Sequence, residues 1–314
     1  MTSCLTSQVR PCLTWRACVV WMLQLIASCG LAWADALPPL AIGVYLPATR
    51  DVPRKDVEIT MRFWVEELAR SAKLPFKPVR FYDTMAELKR DVVDGEINFM
   101  FATTMGIAQY FARDELVDGF FGKNASYEEL LLVVRRDAAI RGLADLAGKR
   151  LALVEGDELS QVYLQHLMLK TWGKLDEGRL ASVSRDRRAV STVHRLFFNQ
   201  ADAALVERNA FEAALALNGQ IAQQLQVLED LSFRGGPPHI GLFSSRMAPQ
   251  HVTVFSKAVM GLGKTPRGRQ IMDIYHSDTM VVSRVSDLDP YRRLLAQHRA
   301  LLAKSAPPGK KKAP

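Results

Sequence analysis

The sequence predicts an α/β protein of two lobes, each built on a mixed, mostly parallel sheet flanked by helices. Short apolar strands alternate with segments of helical periodicity from Leu40 onward. The same alternation restarts at Leu151, after a long apolar run from Tyr127 to Arg135. An ordinary globular composition, 48% hydrophobic and 24% charged over 314 residues, is enough for one large or two medium domains.

In order, Leu40 to Leu46 reads as a strand ending at Pro47, and Val57, Met61, Trp64, Val65, Leu68 and Ala72 recur at helical spacing. Pro78 to Tyr82 is a second strand. Thr84-Met85-Ala86-Glu87 forms a capping box, and Gly95 closes the helix that follows, where a positive φ is cheap only for glycine. Ile97 to Phe101 is a third, fully apolar strand, and a helix opens after Thr103 and Thr104.

The second round gives strands at Leu151 to Val154, Leu180 to Val183 and Ala203 to Val206, with helices over Leu159 to Trp172 and through Val193 and Phe197. Strands at Gln226 to Leu228 and His239 to Phe243 lead into helices from Gln250, from Thr265 and from Asp289. Thr265-Pro266 is a good helix start, with a hydroxyl at the cap and proline where no amide donor is needed. The expected division is residues 35–137 with 236–303 as first lobe and 138–235 as second.

Residues 1–34 read as a removable secretory signal. Arg10 and Arg16 carry the only charges before Asp35, an apolar run from Ala17 to Leu31 follows, and Ala32-Trp33-Ala34 places small residues three and one before a cut at Asp35. The run falls short of the roughly 20 apolar residues a spanning helix needs. All four cysteines, Cys4, Cys12, Cys18 and Cys29, precede that cut, so the mature chain has no disulfide, thiolate metal site or cysteine nucleophile. Ile26-Ala27-Ser28-Cys29 also resembles a lipobox, which would leave Cys29 lipidated; the intact Ala-Trp-Ala site favours a freely diffusing periplasmic form.

The formal charge of +8 falls to +6 without the signal, and Lys310, Lys311 and Lys312 hold three of those charges in a tail, 304–314, expected to be disordered. The body is near neutral and leaves no nucleic-acid footprint. Gly261-Leu262-Gly263-Lys264-Thr265 fails as a phosphate loop, because the required first glycine falls at Ala258 and a helix precedes it. The six histidines are scattered without helical pairing, and no Gly-x-Ser-x-Gly elbow is present, so neither a metal site nor a cofactor is expected.

Three loops sit beyond strand ends and at helix starts, where α/β folds place ligands: Tyr45 to Arg54, Ala102 to Thr104, and Glu155 to Ser160. Thr103 and Thr104 admit two readings, a cradle for an anion and a plain helix cap.

Three phrases carry a resemblance. Leu143-Ala144-Asp145-Leu146-Ala147-Gly148-Lys149-Arg150-Leu151-Ala152-Leu153 resembles the phrase that opens the second lobe of type 2 periplasmic solute-binding proteins. Asp94 to Phe99 is similar to their first-lobe ligand-strand phrase, and Gln200 to Glu207 to a second-lobe strand. Within that superfamily the chain resembles the phosphate, phosphite and phosphonate receptors of ABC importers, from Leu40 to Ala303.

The resemblance implies a two-lobed type 2 periplasmic-binding-protein fold that closes on a small solute without chemistry and hands it to a membrane permease. Tyr45, Thr103 and Thr104 would line the first lobe, Tyr127 the hinge approach, and Ser160 and Glu207 the second, in a monomer. A ligand-sensing module serving a membrane kinase or chemoreceptor uses the same cleft. An exported enzyme with Asp157, Glu158 or Glu207 as acid and base is the alternative from another class.

One departure matters. Where phosphonate receptors carry small hydroxyl residues, this chain has Glu155-Gly156-Asp157-Glu158-Leu159-Ser160. Acids there suit the helix dipole but repel a phosphonate. Glu155, Asp157 and Glu158 therefore either cap the helix and point away or meet a cation on the ligand, and Glu207 matches the position of an acid that binds a ligand amine. An amino-bearing zwitterion fits both.

Overall fold

The computed structural model describes residues 37–49, 52–123, 129–274, 277 and 279–305. The signal segment with Cys29, the tail from residue 306 and Tyr127 lie outside them. The first half runs β1 (Ile42–Tyr45), α1 (Arg54–Ala72), β2 (Arg80–Tyr82), α2 (Met85–Val93), β3 (Phe99–Thr103), α3 (Thr104–Tyr110) and β4 (Leu116–Lys123). There follow β5 (Glu129–Arg135), β6 (Arg150–Val154), α4 (Glu158–Trp172), β7 (Ser182–Asp186), α5 (Ala189–Phe197), β8 (Ala203–Glu207), α6 (Arg208–Leu217), α7 (Gln220–Gln224), β9 (Leu225–Val227) and β10 (Phe233–Arg234). The chain then returns through β11 (His239–Ser244), α8 (Pro249–Met260), α9 (Pro266–Ile274), β12 (Thr279–Ser283) and α10 (Asp289–Ser305).

These strands make two sheets, ordered β2-β1-β3-β11-β4-β12 and β7-β6-β8-β5-β10, with β9 also on β5. The two share a plan. Each has a parallel half, β2-β1-β3 or β7-β6-β8, and an antiparallel half begun by a strand that arrives from the other side of the chain, β11 or β5. Leu130, Leu131, Leu132, Val133 and Val134 are all 0% exposed. Burial on both faces explains why that segment reads as a continuous apolar run rather than an alternation, and each such side chain contributes about 1.5–3 kcal/mol.

The local signals place helix ends well. Thr84 Oγ1 accepts from the Glu87 amide at 3.3 Å and donates to the Glu87 carboxylate at 2.9 Å. Gly95 has φ +80°, and Thr265 Oγ1 caps the Gly268 amide at 2.9 Å. The phrases shared with solute-binding proteins are structural in the same way. Asp145 accepts the Arg141 and Gly142 amides, each at 2.9 Å, and Asp202 binds Arg150.

Elsewhere the structure departs from the sequence expectation. Strands β4 and β12 and helix α6 were not foreseen. Gly119 and Gly122 interrupt the apolar pattern of β4, yet Gly119 is needed there, because a Cβ would run into the Gly241 carbonyl on β11. The bare Cα of Gly241 in turn leaves room for the Phe99 ring, which stacks on Phe120 with centroids 4.4 Å apart. Strand β3 lies two residues later than Ile97 to Phe101, and Glu129–Arg135, expected in the first lobe, pairs with β8, β9 and β10 of the second sheet.

The last helix joins the lobes. α10 packs on both α3 and α4. Tyr291, 0% exposed, stacks edge-on against Phe233 at 5.4 Å, and Phe233 lies 5.8 Å from Tyr163 of α4.

Candidate functional site

Parallel strands deliver their carboxyl ends to one edge of each sheet. In the first, Val44 pairs with Phe101, so Tyr45, the last residue of β1, comes level with Ala102, one residue before Thr103 at the end of β3. In the second, Val154 pairs with Asp186 and Ala152 with Ala204, so the loop after Val154 and the end of β8 at Glu207 share an edge.

Across the gap these edges meet through one residue. The Tyr45 hydroxyl donates to Glu158 Oε1 at 2.8 Å, and the Thr103 hydroxyl donates to Glu158 Oε2 at 2.6 Å. Thr103 is also the cap of α3, its Oγ1 accepting the Gly106 amide at 3.1 Å. The cradle and cap readings of this threonine are therefore both realised, by the two faces of one hydroxyl. Burial, and then the hydrogen bond to Glu158, push the Tyr45 phenol well above its ordinary pKa, so it stays a donor.

The remaining expected residues divide. Thr104 is 0% exposed, its hydroxyl donating to the Pro237 carbonyl and its amide to Pro238 O at 2.9 Å. It ties α3 to the crossing segment and offers nothing to a solute. Asp157 and Ser160, both buried, form a pair in the first turn of α4, with the serine hydroxyl donating to the carboxylate. Glu155 points outward, its carboxylate 3.9 Å from Arg187 Nε. Glu207 is half-buried at the end of β8, opposite Leu130. Tyr127 is outside the described residues.

Glu158 was expected as a helix-start acid that caps α4 or meets a ligand cation, and as a residue of the enzymatic alternative, but not as the partner of Tyr45 and Thr103; Gly106 was not foreseen at all. A side chain at Gly106 would place its Cβ 2.6 Å from Thr103 Oγ1 and 3.1 Å from Glu158 Oε2. The spacing of Gly106 three residues after the capping Thr103 was the available signal. Arg208 follows Glu207 directly and donates through Nε to Glu129 and through Nη2 to Glu229 at 3.2 Å, with Arg234 3.7 Å from both acids. Among the described residues no cluster of histidine and acidic side chains could hold a metal ion, and no helix is long and apolar enough to cross a membrane.

Two α/β lobes that face each other through strand ends and hydroxyl donors define a solute-binding protein of the two-lobed periplasmic kind. The family model described as "ABC transporter, phosphonate, periplasmic substrate-binding protein" matches residues 52–288. The chain belongs to this family of periplasmic substrate-binding proteins. No curated protein matches it in sequence.

Solved structures agree on the fold. PhnD1 from Prochlorococcus marinus, in complex with methylphosphonate, is 11% identical with TM-score 0.57, over 84% of this chain and 98% of that one. A binding protein component of an ABC phosphonate transporter from Pseudomonas aeruginosa is 10% identical with TM-score 0.58, over 85% and 89%. A Xanthomonas citri protein bound to chloride ion is 13% identical with TM-score 0.61, over 84% and 98%.

Proposed function

We propose that this protein is the exported receptor of an ABC importer, binding a small anionic or zwitterionic solute of phosphonate or phosphate type between its lobes and releasing it unaltered to the permease. One observation carries the reading. Tyr45 and Thr103 aim two hydroxyl donors from the first lobe at the two oxygens of a single anionic group. That arrangement is complementary to an oxyanion, and charge-assisted bonds of this kind are about twice as strong as neutral ones. Methylphosphonate in the Prochlorococcus marinus relative supports the same solute class.

Tyr45, Thr103, Asp157, Ser160 and Glu207 line the site on this reading, and an amino group on the ligand would answer Glu207. The protein acts as a monomer, cut after Ala34, with a first lobe of 35–128 plus 236–303 and a second of 129–235 that takes in β5. The Asp157 and Glu158 carboxylates each accept hydroxyl hydrogen bonds, from Ser160 and from Tyr45 and Thr103, a holding role that supports binding over acid-base chemistry.

Native mass spectrometry of the purified protein, with calorimetric titration of methylphosphonate, 2-aminoethylphosphonate, phosphate and sulfate, tests the proposal. Binding of a phosphorus oxyanion with the ligand recovered intact is the expected result. A chemically altered ligand, or no affinity for any of the four, would overturn it.

A further inference from the structure

Glu158 is held as a ligand would be held. Each of its oxygens takes one hydroxyl hydrogen bond from the opposite lobe, 2.8 Å from Tyr45 and 2.6 Å from Thr103. The bare Cα of Gly106 leaves the Glu158 carboxylate room against Thr103. Among the described residues no lysine, arginine or histidine forms an ion pair with Glu158, so these two hydroxyls are its hydrogen-bonding support. The adjacent acids are engaged elsewhere, Asp157 by Ser160 and Glu155 by Arg187.

We propose that Glu158 is the specificity-determining residue of the cleft: its carboxylate is an internal occupant of the Tyr45 and Thr103 cradle, and an oxyanion enters only by displacing it. This rests on the reading of the cleft as an oxyanion site. The occupant opposes binding twice. It must give up two charge-assisted hydrogen bonds, and once displaced it remains beside the incoming anion as a like charge. The same contact ties the second lobe to the first, since the donors end strands β1 and β3 of the first sheet and the acceptor opens α4, which follows β6 of the second. A neutral side chain at 158 removes the competitor and leaves both donors in place.

The test compares the native protein with Glu158→Ala and Glu158→Gln, each shown to be folded by its melting curve, in calorimetric titrations with methylphosphonate, phosphate and sulfate, affinities being compared on methylphosphonate. Glu158→Ala is expected to bind at least tenfold more tightly than native, about 1.4 kcal/mol. Glu158→Gln keeps the size and one acceptor oxygen while losing the charge, and falls between; it decides the matter if the alanine variant does not fold. A gain below tenfold for the alanine variant, no gain for the glutamine variant when it stands alone, or a loss in either overturns the proposal and leaves the oxyanion reading standing. Failure of native and variants alike to bind methylphosphonate, phosphate or sulfate overturns both.

Discussion

Asp202 grips Arg150 with both carboxylate oxygens, Oδ1 at 2.7 Å from Nη2 and Oδ2 at 3.1 Å from Nε, while Oδ2 also accepts the Arg150 amide at 2.8 Å. One side chain thus fixes the start of β6 against the start of β8, and the guanidinium, first among several causes, holds the Asp202 carboxyl below the ordinary aspartate range. Asp202→Ala is expected to destabilise the protein by about 1–2 kcal/mol, since the Arg150 amide loses its acceptor while the guanidinium keeps Asn199 and solvent. Because the folded pKa is lowered, the contribution is complete above the unfolded value and fades as pH falls through the folded one. Urea denaturation at pH 7 and pH 3 checks this: the native and variant proteins should differ less at the lower pH.

Tyr45→Phe keeps the buried ring and removes only the hydroxyl. In the Glu158→Ala background it should weaken methylphosphonate binding about tenfold, the worth of a hydrogen bond to a charged group. In the native background the loss should be under threefold, because the donor is withdrawn from occupant and ligand alike. A calorimetric double-mutant cycle reads the difference, and equal losses in the two backgrounds would contradict it.

Gly106→Ala sets two effects against each other. Alanine in a helix interior gains up to about 1 kcal/mol over glycine. Here its Cβ lies 2.6 Å from Thr103 Oγ1, and overpacking of that kind costs about 1–3 kcal/mol. The clash should win, giving a net loss of about 1 kcal/mol in denaturant unfolding and weaker methylphosphonate binding as the Thr103 hydroxyl is pushed aside.

His166 of α4 and His298 of α10 each bury an Nδ1 that finds no hydrogen-bond partner among the described residues. Burial pushes both below the ordinary histidine pKa, aided by Lys170 and His298 for His166 and by Arg299 for His298. The unfolded chain therefore binds more protons than the folded one as pH drops below about 6.5, and stability falls with it. The melting temperature should decline between pH 7.5 and pH 5.5, and the decline should be smaller in the His166→Gln, His298→Gln double variant.

The parallel halves of both sheets were legible in the sequence because local signals mark them. The Thr84 cap, the Gly95 turn and the Val154 strand end each depend on a few adjacent residues. The antiparallel edge was not, because β4 and β12 owe their pairing to partners far along the chain; Gly119 looks like a strand breaker until Gly241 lies against it. In the site, Tyr45 and Thr103 were found as residues at strand ends. Their common partner was not, since an acid in the first turn of a helix is explained locally by the helix dipole. Nothing within reach of Glu158 in the sequence tells that it crosses to the other sheet, 55 positions from Thr103.

The order of strands also bears on when this protein can fold. β11 sits between β3 and β4 in the first sheet, yet it is made only after every strand of the second. Until residue 244 has emerged, β3 and β4 have no strand to join them, and until α10 follows nothing lies across α3 and α4. Such long-range pairing slows folding. The first sheet therefore closes last, after the strands of the second sheet have all been made.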